Sequence, residues 1–213
     1  MIDLGIPDAL LVNALTTLFV TIDPIGLLPI FLGLTTGMSR RQRAEVGARA
    51  CAIAAVILVL FTVAGSAILA AFGITIAAFR VAGGLLLFVI AFEMVFEKRQ
   101  ERQSEVAERA ITAEQLRSIA VFPLAIPLIA GPSTISATIL LSGTIGPVRG
   151  EIAVAIICVA ICAATFLIFL ASHRIERVLG ETGRVVLSRL LGVLLAALSV
   201  QFVADGIRTL AGA

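Results

Sequence analysis

Two short stretches of an otherwise apolar chain carry residues able to do chemistry. The first runs from Phe19 to Leu32, FVTIDPIGLLPIFL, where the ionisable Asp23 is followed at once by Pro24, then by Gly26 and Pro29, with Thr21 just before it. The second lies in the other half of the chain and reads Gly131-Pro132-Ser133-Thr134. Proline removes a backbone donor and clashes with the preceding turn, and a carboxylate at bilayer depth costs roughly 2.5 kcal/mol or more. Neither belongs in a simple membrane span, so each stretch marks a break that something is made from. Asp is a favoured N-cap and Pro a favoured first helical residue, so Asp23-Pro24 predicts the start of a second half-helix. Gly131-Pro132 predicts another, Gly being an acceptable cap. Each start exposes unpaired N–H groups and the positive end of a helix dipole, which is a ready anion site. Two such starts pointing at each other would hold a small molecule with a carboxylate.

Neighbouring polar residues extend this candidate site. Asn13, Thr16, Thr17 and Thr21 fall within an arc of roughly 140° at 100° per residue, one face that should look inward. Ser133, Thr134, Ser136 and Thr138 supply hydroxyls spread around the second half-helix, although hydroxyls equally pack helices and satisfy loosened backbone groups. Asp23 has three readings: a structural cap, a cation or proton site coupling transport, or a counter-charge for a substrate amine. Arg80 and Arg189 lie several residues inside apolar runs and offer a guanidinium to a substrate carboxylate, to Asp23 or to a half-helix C-terminus; snorkelling to the headgroups is the blander option. Glu93 and Asp205 sit near helix ends and read as interfacial, and His173 as solvated.

The elements that must position these residues follow from composition. The chain has 213 residues, 60% of them hydrophobic and 14% charged, with a net charge of +2. Soluble chains sit near about 45–50% apolar and about 25% charged, so this is a membrane protein, and no broad basic surface for nucleic acid is implied. Cys51, Cys158 and Cys162 lie inside apolar runs as small hydrophobes, without CxxC or zinc spacing. The N-terminal MIDLGIPDAL has two acids and no basic residue, unlike a cleavable signal peptide. A spanning helix needs about 20 apolar residues, and six runs meet or approach that: 9–35, 44–72, 74–96, 118–142, 151–172 and 187–210. The expected fold is an all-α integral membrane protein of six transmembrane helices, a single membrane domain over 1–213. Its connector, 97–117, balances five acids against five basic residues. It reads as a solvated helical hinge without chemistry, with pairs such as Glu105 to Arg109 at helical spacing.

Basic residues set the orientation. The connectors after the first, third and fifth spans hold thirteen of them, and the opposite side only Arg80, Arg149 and Arg208. Both termini are therefore expected outside the cytoplasm, in a multi-pass protein of the cell (inner) membrane.

Self-similarity divides the chain into repeat 1, 1–96, and repeat 2, 118–213. Asp23-Pro24 and Gly131-Pro132 are 108 residues apart, and FRVAGGLLLF from Phe79 resembles SRLLGVLLAA from Ser188 at an offset of 109. A competing register matches Phe19, Pro24 and Pro29 to Phe122, Pro127 and Pro132 at 103; the first is preferred. Three spans per half is odd, so the halves cross in opposite directions as two inverted three-helix repeats, with helices 1 and 4 broken mid-membrane. Secondary transporters commonly place substrate at such breaks.

Three motifs, IDPIGLLPIF in the first span, RRQRAEVGARA opening the second and PLIAGPSTI in the fourth, resemble the MarC family of six-span membrane proteins, also called the neutral amino acid transporter family. The likeness covers essentially the whole chain. It implies an integral protein of a bacterial or archaeal cell membrane, grouped with LysE-type exporters, some of whose relatives carry small neutral amino acids such as glycine and alanine. Many relatives have Gly where this chain has Ser133, a change that narrows the site or adds a hydroxyl ligand. Asp23, Pro24, Gly131, Pro132 and Ser133 carry over as motif positions only. The expected function is a secondary transporter for small neutral amino acids or similar small metabolites, working by alternating access between the repeats. No GxxxxGK[ST] loop occurs, so the drive is an ion or proton gradient or plain exchange. A homo-oligomer is compatible with this reading, and no cofactor or metal is expected. The alternative is a non-transporting membrane scaffold or regulatory partner; an enzyme is not expected, since HExxH and GxSxG are missing.

Overall fold

The computed structural model describes residues 6–111, 119–146 and 148–212, leaving aside the side chains of 108–111 and 176. Residues 1–5, and the side chains of Glu108, Arg109, Glu114 and Arg117 with the expected Glu105–Arg109 pair, lie outside the described residues. Every element among those described is helical: α1 Asp8–Ile22, α2 Leu28–Leu34, α3 Arg40–Ala71, α4 Ile76–Val95, α5 Lys98–Ile111, an irregular Ala120–Ile129 segment, α6 Pro132–Ile145, α7 Arg149–Leu170 and α8 Ser172–Ala211. Local chemistry explains several of the boundaries. Ser39 and Gln42 form a reciprocal capping box at the start of α3, and the Thr75 hydroxyl accepts from the Ala78 N–H, 3.1 Å, at the start of α4. α8 breaks at Gly180, whose φ of 61° and ψ of −176° lie in a region essentially reserved for glycine.

α3, α4, α7 and the Arg177–Ala211 part of α8 are each long and apolar enough to cross a bilayer, and the Ala120–Ile129 segment with α6 forms a further candidate bent by 54°. The first expected span differs. α1 has 15 residues, about 22 Å at 1.5 Å per residue, which falls short of the ~30 Å hydrocarbon core; beyond its break α2 adds only seven.

The two breaks are built differently from the expectation. Asp23-Pro24 does not open the second half-helix: Asp23 ends α1 in the left-handed conformation, φ 53° and ψ 61°, which Asp tolerates better than most residues. Residues 24–27 form a turn and α2 begins at Leu28 with Pro29 in its first turn. Gly131-Pro132 does open a helix, α6, as cap and first residue. α6 thus starts at its proline, Pro132, whereas α2 starts one residue before Pro29. Before Gly131 there is no regular half-helix. Phe122 (φ −130°, ψ 124°) and Ile126 (φ −126°, ψ 125°) are extended, as residues preceding proline are pushed to be, here by Pro123 and Pro127.

Helices from the two halves pack against each other: α4 on α8, α3 on α7 and α1 on α6. The α4–α8 contact is antiparallel and made by small residues at seven-residue spacing. A Cβ on Gly84 would lie 2.9 Å from the Ser199 carbonyl, one on Gly192 3.1 Å from that of Ala91, and one on Gly206 3.0 Å from that of Ala77. Ala77, Gly84 and Ala91 therefore face Gly206, Ser199 and Gly192, so the backbones approach closely, as small residues allow in membranes. The buried thiols of Cys51, Cys158 and Cys162 belong to the apolar core. Outward, Val56, Leu60, Leu85, Val89, Leu167 and Leu194 are more than half exposed, an apolar belt that suits lipid and not water.

Candidate functional site

The first break is organised by a helix from the connector. α5 is not a purely solvated hinge: Arg99 and Gln103, four residues apart on one face, are buried. Arg99 Nη2 donates to the Thr21 carbonyl, one of those a helix C-terminus leaves unpaired. Arg99 Nε stands 3.9 Å from Asp23 Oδ2, with both side chains 6% exposed. Gln100 Nε2 donates to the Gly26 carbonyl, 3.1 Å. Asp23 Oδ1 accepts from the Gly26 N–H at 3.0 Å, the bond an N-cap makes to the third residue of its turn. Asp23 thus closes α1 and caps the turn that follows, and α5 supplies both the cation beside its carboxylate and the donors its loosened carbonyls need. Gly26 is required by proximity: a Cβ there would lie 2.2 Å from Asp23 Oδ2.

Arg99 is only partly used by these contacts. Its Nε and Nη1 are buried without a hydrogen-bond partner. Burial presses its pKa down and the Asp23 carboxylate opposes that, and a guanidinium stays charged throughout the physiological range. Its unspent donors matter because Arg99 also lines a cavity of about 320 Å³ with Arg102, Gln103 and the Gly131–Thr134 start of α6. No side chain caps that start, and the first bond of the helix is Ile135 N–H to the Gly131 carbonyl, 2.9 Å. Gly131 has no room for a side chain, since a Cβ would lie 2.5 Å from the Pro127 carbonyl. Leu86, Val89 and Ile90 of α4 form the apolar wall. On the other side of Arg99 a smaller cavity of about 140 Å³ is lined by Asp23, Gln100, Arg184 and Ser188. One buried guanidinium therefore touches the first break and reaches the space before the second.

Of the residues singled out in the sequence, Thr21, Asp23, Pro24 and Gly26 gather at the first break and Gly131, Pro132, Ser133 and Thr134 at the second, with α5 between them. Arg80 is elsewhere: its Nη2 donates to the Thr144 hydroxyl, 3.1 Å, at the far end of α6. Arg189 pairs with Glu97 and is 56% exposed, beside the smaller cavity but not part of its lining. Neither pairs with Asp23; Arg99 does. On the polar face of α1, Thr17 and Thr21 are buried and spend their hydroxyls locally, on Asn13 Oδ1 at 3.0 Å and on the Thr17 carbonyl at 2.5 Å. Asp205 accepts from Gln201 at 2.8 Å, and Glu93 pairs with Arg102 at 2.9 Å. His173 is in contact with Arg43. Sequence reasoning missed Arg99, Gln100 and Gln103. The available signal was the i, i+4, i+8 line of Arg99, Gln103 and Ala107, all buried, within a run read as polar all round.

The family profile described as MarC family integral membrane protein matches residues 9–211. A UPF0056 membrane protein of Archaeoglobus fulgidus is 39% identical over 193 residues, 90% of this chain and 89% of the relative. The Bacillus subtilis UPF0056 membrane protein YvbG is 36% identical over 198 residues, 93% of this chain and 94% of its own length. The Escherichia coli UPF0056 membrane protein YhcE is 37% identical over 194 residues, covering 90% and 88%. No solved structure matches. With the family profile spanning almost the whole chain, and relatives of this identity aligned along nearly their full length, the chain belongs to the MarC family of integral membrane proteins.

Proposed function

We propose that this chain is a secondary transporter for small neutral amino acids or similar small metabolites, held in the cell membrane with both termini outside the cytoplasm. The observation that carries the reading is the convergence of the uncapped α6 start and the unspent donors of Arg99 on one 320 Å³ cavity. That volume falls at the small end of the ~300–1,000 Å³ of small-molecule sites. A substrate carboxylate would accept from the Ser133 and Thr134 N–H groups and from Arg99 Nη1. Charge-assisted bonds of this kind are the stronger ones. Leu86, Val89 and Ile90 of α4 line the same cavity. Those three apolar side chains favour a small, uncharged substrate side chain.

In this reading the two halves are inverted repeats, and the pairing of α4 with α8, α3 with α7 and α1 with α6 is what a rocking motion between them would act through. The drive is an ion or proton gradient or exchange. The test is uptake of labelled glycine or alanine into proteoliposomes holding the purified protein. Saturable uptake or counterflow supports the reading; no movement under any imposed gradient overturns it and leaves a membrane scaffold or regulatory partner.

A further inference from the structure

We infer that a second, separate cavity binds a phosphate group, at the end of the molecule where α2 leads into α3 and α7 into α8. It measures about 490 Å³ and is lined by Arg40, Arg43, His173 and Arg174 over a floor that includes Phe31 and Phe169. The two rings stack at 4.2 Å between centroids and 4° between planes, which fixes that floor. Among the described residues no carboxylate lines the cavity, and Glu45, on the first turns of α3, is engaged by Arg49 at 2.7 Å. The excess of positive charge is therefore uncompensated from within.

One of the basic groups, Arg43, is also held in place by defined contacts, which a loose surface arginine is not. Arg43 Nη1 lies 2.6 Å from His173 Nε2. Arginine can only donate, so that nitrogen of His173 accepts. Arg43 Nη2 reaches the Thr35 carbonyl at 3.5 Å, while its Nε is buried and has no partner. What the cavity lacks is an acceptor with several oxygens and negative charge, which is the chemistry of a phosphate mono- or diester. Its outer rim adds a second feature. Leu167 and Leu170 line it and are 63% and 52% exposed, so an acyl chain can lie along α7 while the headgroup meets the arginines. Basic pockets between helices at a membrane face take anionic lipid headgroups in this way. A concentration of arginine outside the spans, as topology alone demands, requires neither a cavity nor a buried donor aimed without a partner. The site shares no lining residue with the Arg99 cavity and is independent of the transport reading.

The experiment places the purified full chain in nanodiscs of phosphatidylcholine doped with phosphatidylglycerol and reads retained lipid by native mass spectrometry, alongside a thermal-shift titration with inorganic phosphate. Phosphatidylglycerol should be retained over phosphatidylcholine. Each of Arg40→Gln, Arg43→Gln and Arg174→Gln should lower that preference by about fivefold, from roughly 1 kcal/mol per basic residue. Arg149→Gln, at the opposite end, should leave it intact. Retained phosphatidylglycerol with no phosphate shift assigns the site to a lipid headgroup, and stabilisation and competition by phosphate assign it to the free anion. Equal retention of both lipids with no phosphate shift would overturn the inference. So would a preference that survives the Arg40→Gln/Arg174→Gln pair, whose side chains are exposed and whose exchange spares the core.

Discussion

At the scale of single residues, Arg99 joins most of what the sequence scattered. Removing one member of a buried ion pair strands the other, typically at about 3–5 kcal/mol. Arg99→Ala should therefore cost stability of that order and strip the Thr21 carbonyl of its donor; a thermal melt in detergent reads the loss. The Asp23→Asn/Arg99→Gln pair removes both charges and should recover most of that stability. A recovery no larger than additive would show that the two do not interact. Asp23→Asn alone separates two of the readings open for this carboxylate. As the cap it retains an oxygen for the Gly26 N–H and should mainly lower expression, whereas as a coupling site it should change the ion or pH dependence of uptake. Gly26→Ala places a Cβ where Asp23 Oδ2 stands and should destabilise by about 1–3 kcal/mol, as overpacking does, read by the same melt.

At the scale of elements, the firmest prediction concerns the α4–α8 seam. Ala in place of a helical Gly normally gains about 1 kcal/mol of helix propensity, yet at Gly84, Gly192 and Gly206 the added carbon meets a facing carbonyl at 2.9 to 3.1 Å. Gly84→Ala and Gly206→Ala should thus lower the melting temperature instead of raising it, and Gly84→Leu should lower it further; a rise would mean the helices separate at no cost. Much of this architecture was legible in the chain. The four straight spans, the broken fourth and the start of α6 at Gly131-Pro132 follow from apolar length and proline chemistry, which act locally. The first break was legible as a break but not in its geometry. A proline after Asp signals equally a helix start or a capped turn, and the carbonyls flanking the left-handed Asp23 are bound by Arg99 and Gln100 from a distant helix. Arg99 itself escaped because the connector balances its charges, and balance hides which face is buried. Nothing in the types of Arg80 and Arg189 reveals that Thr144 and Glu97 hold them away from the breaks.

At the scale of the whole molecule, the contacts Arg43–His173 and Arg189–Glu97 draw together residues from the three arginine-rich connectors at one end of the molecule. The orientation is tested with single cysteines in a background lacking Cys51, Cys158 and Cys162. A thiol added beyond Gly212 should react with an impermeant reagent applied outside the cell, and one at Thr36 only from the cytoplasm; the reverse pattern would invert the topology. The transport account itself rests on one cavity in which Arg99 and the α6 start meet. Its most direct test is labelled-alanine counterflow in proteoliposomes, comparing the wild type with the Asp23→Asn/Arg99→Gln pair after both are shown to be folded. Wild-type counterflow that falls at least about tenfold in the folded pair, the loss of one charged hydrogen bond of ~1.5 kcal/mol or more, is the result predicted. Counterflow absent from the wild type, or undiminished in the folded pair, would contradict it.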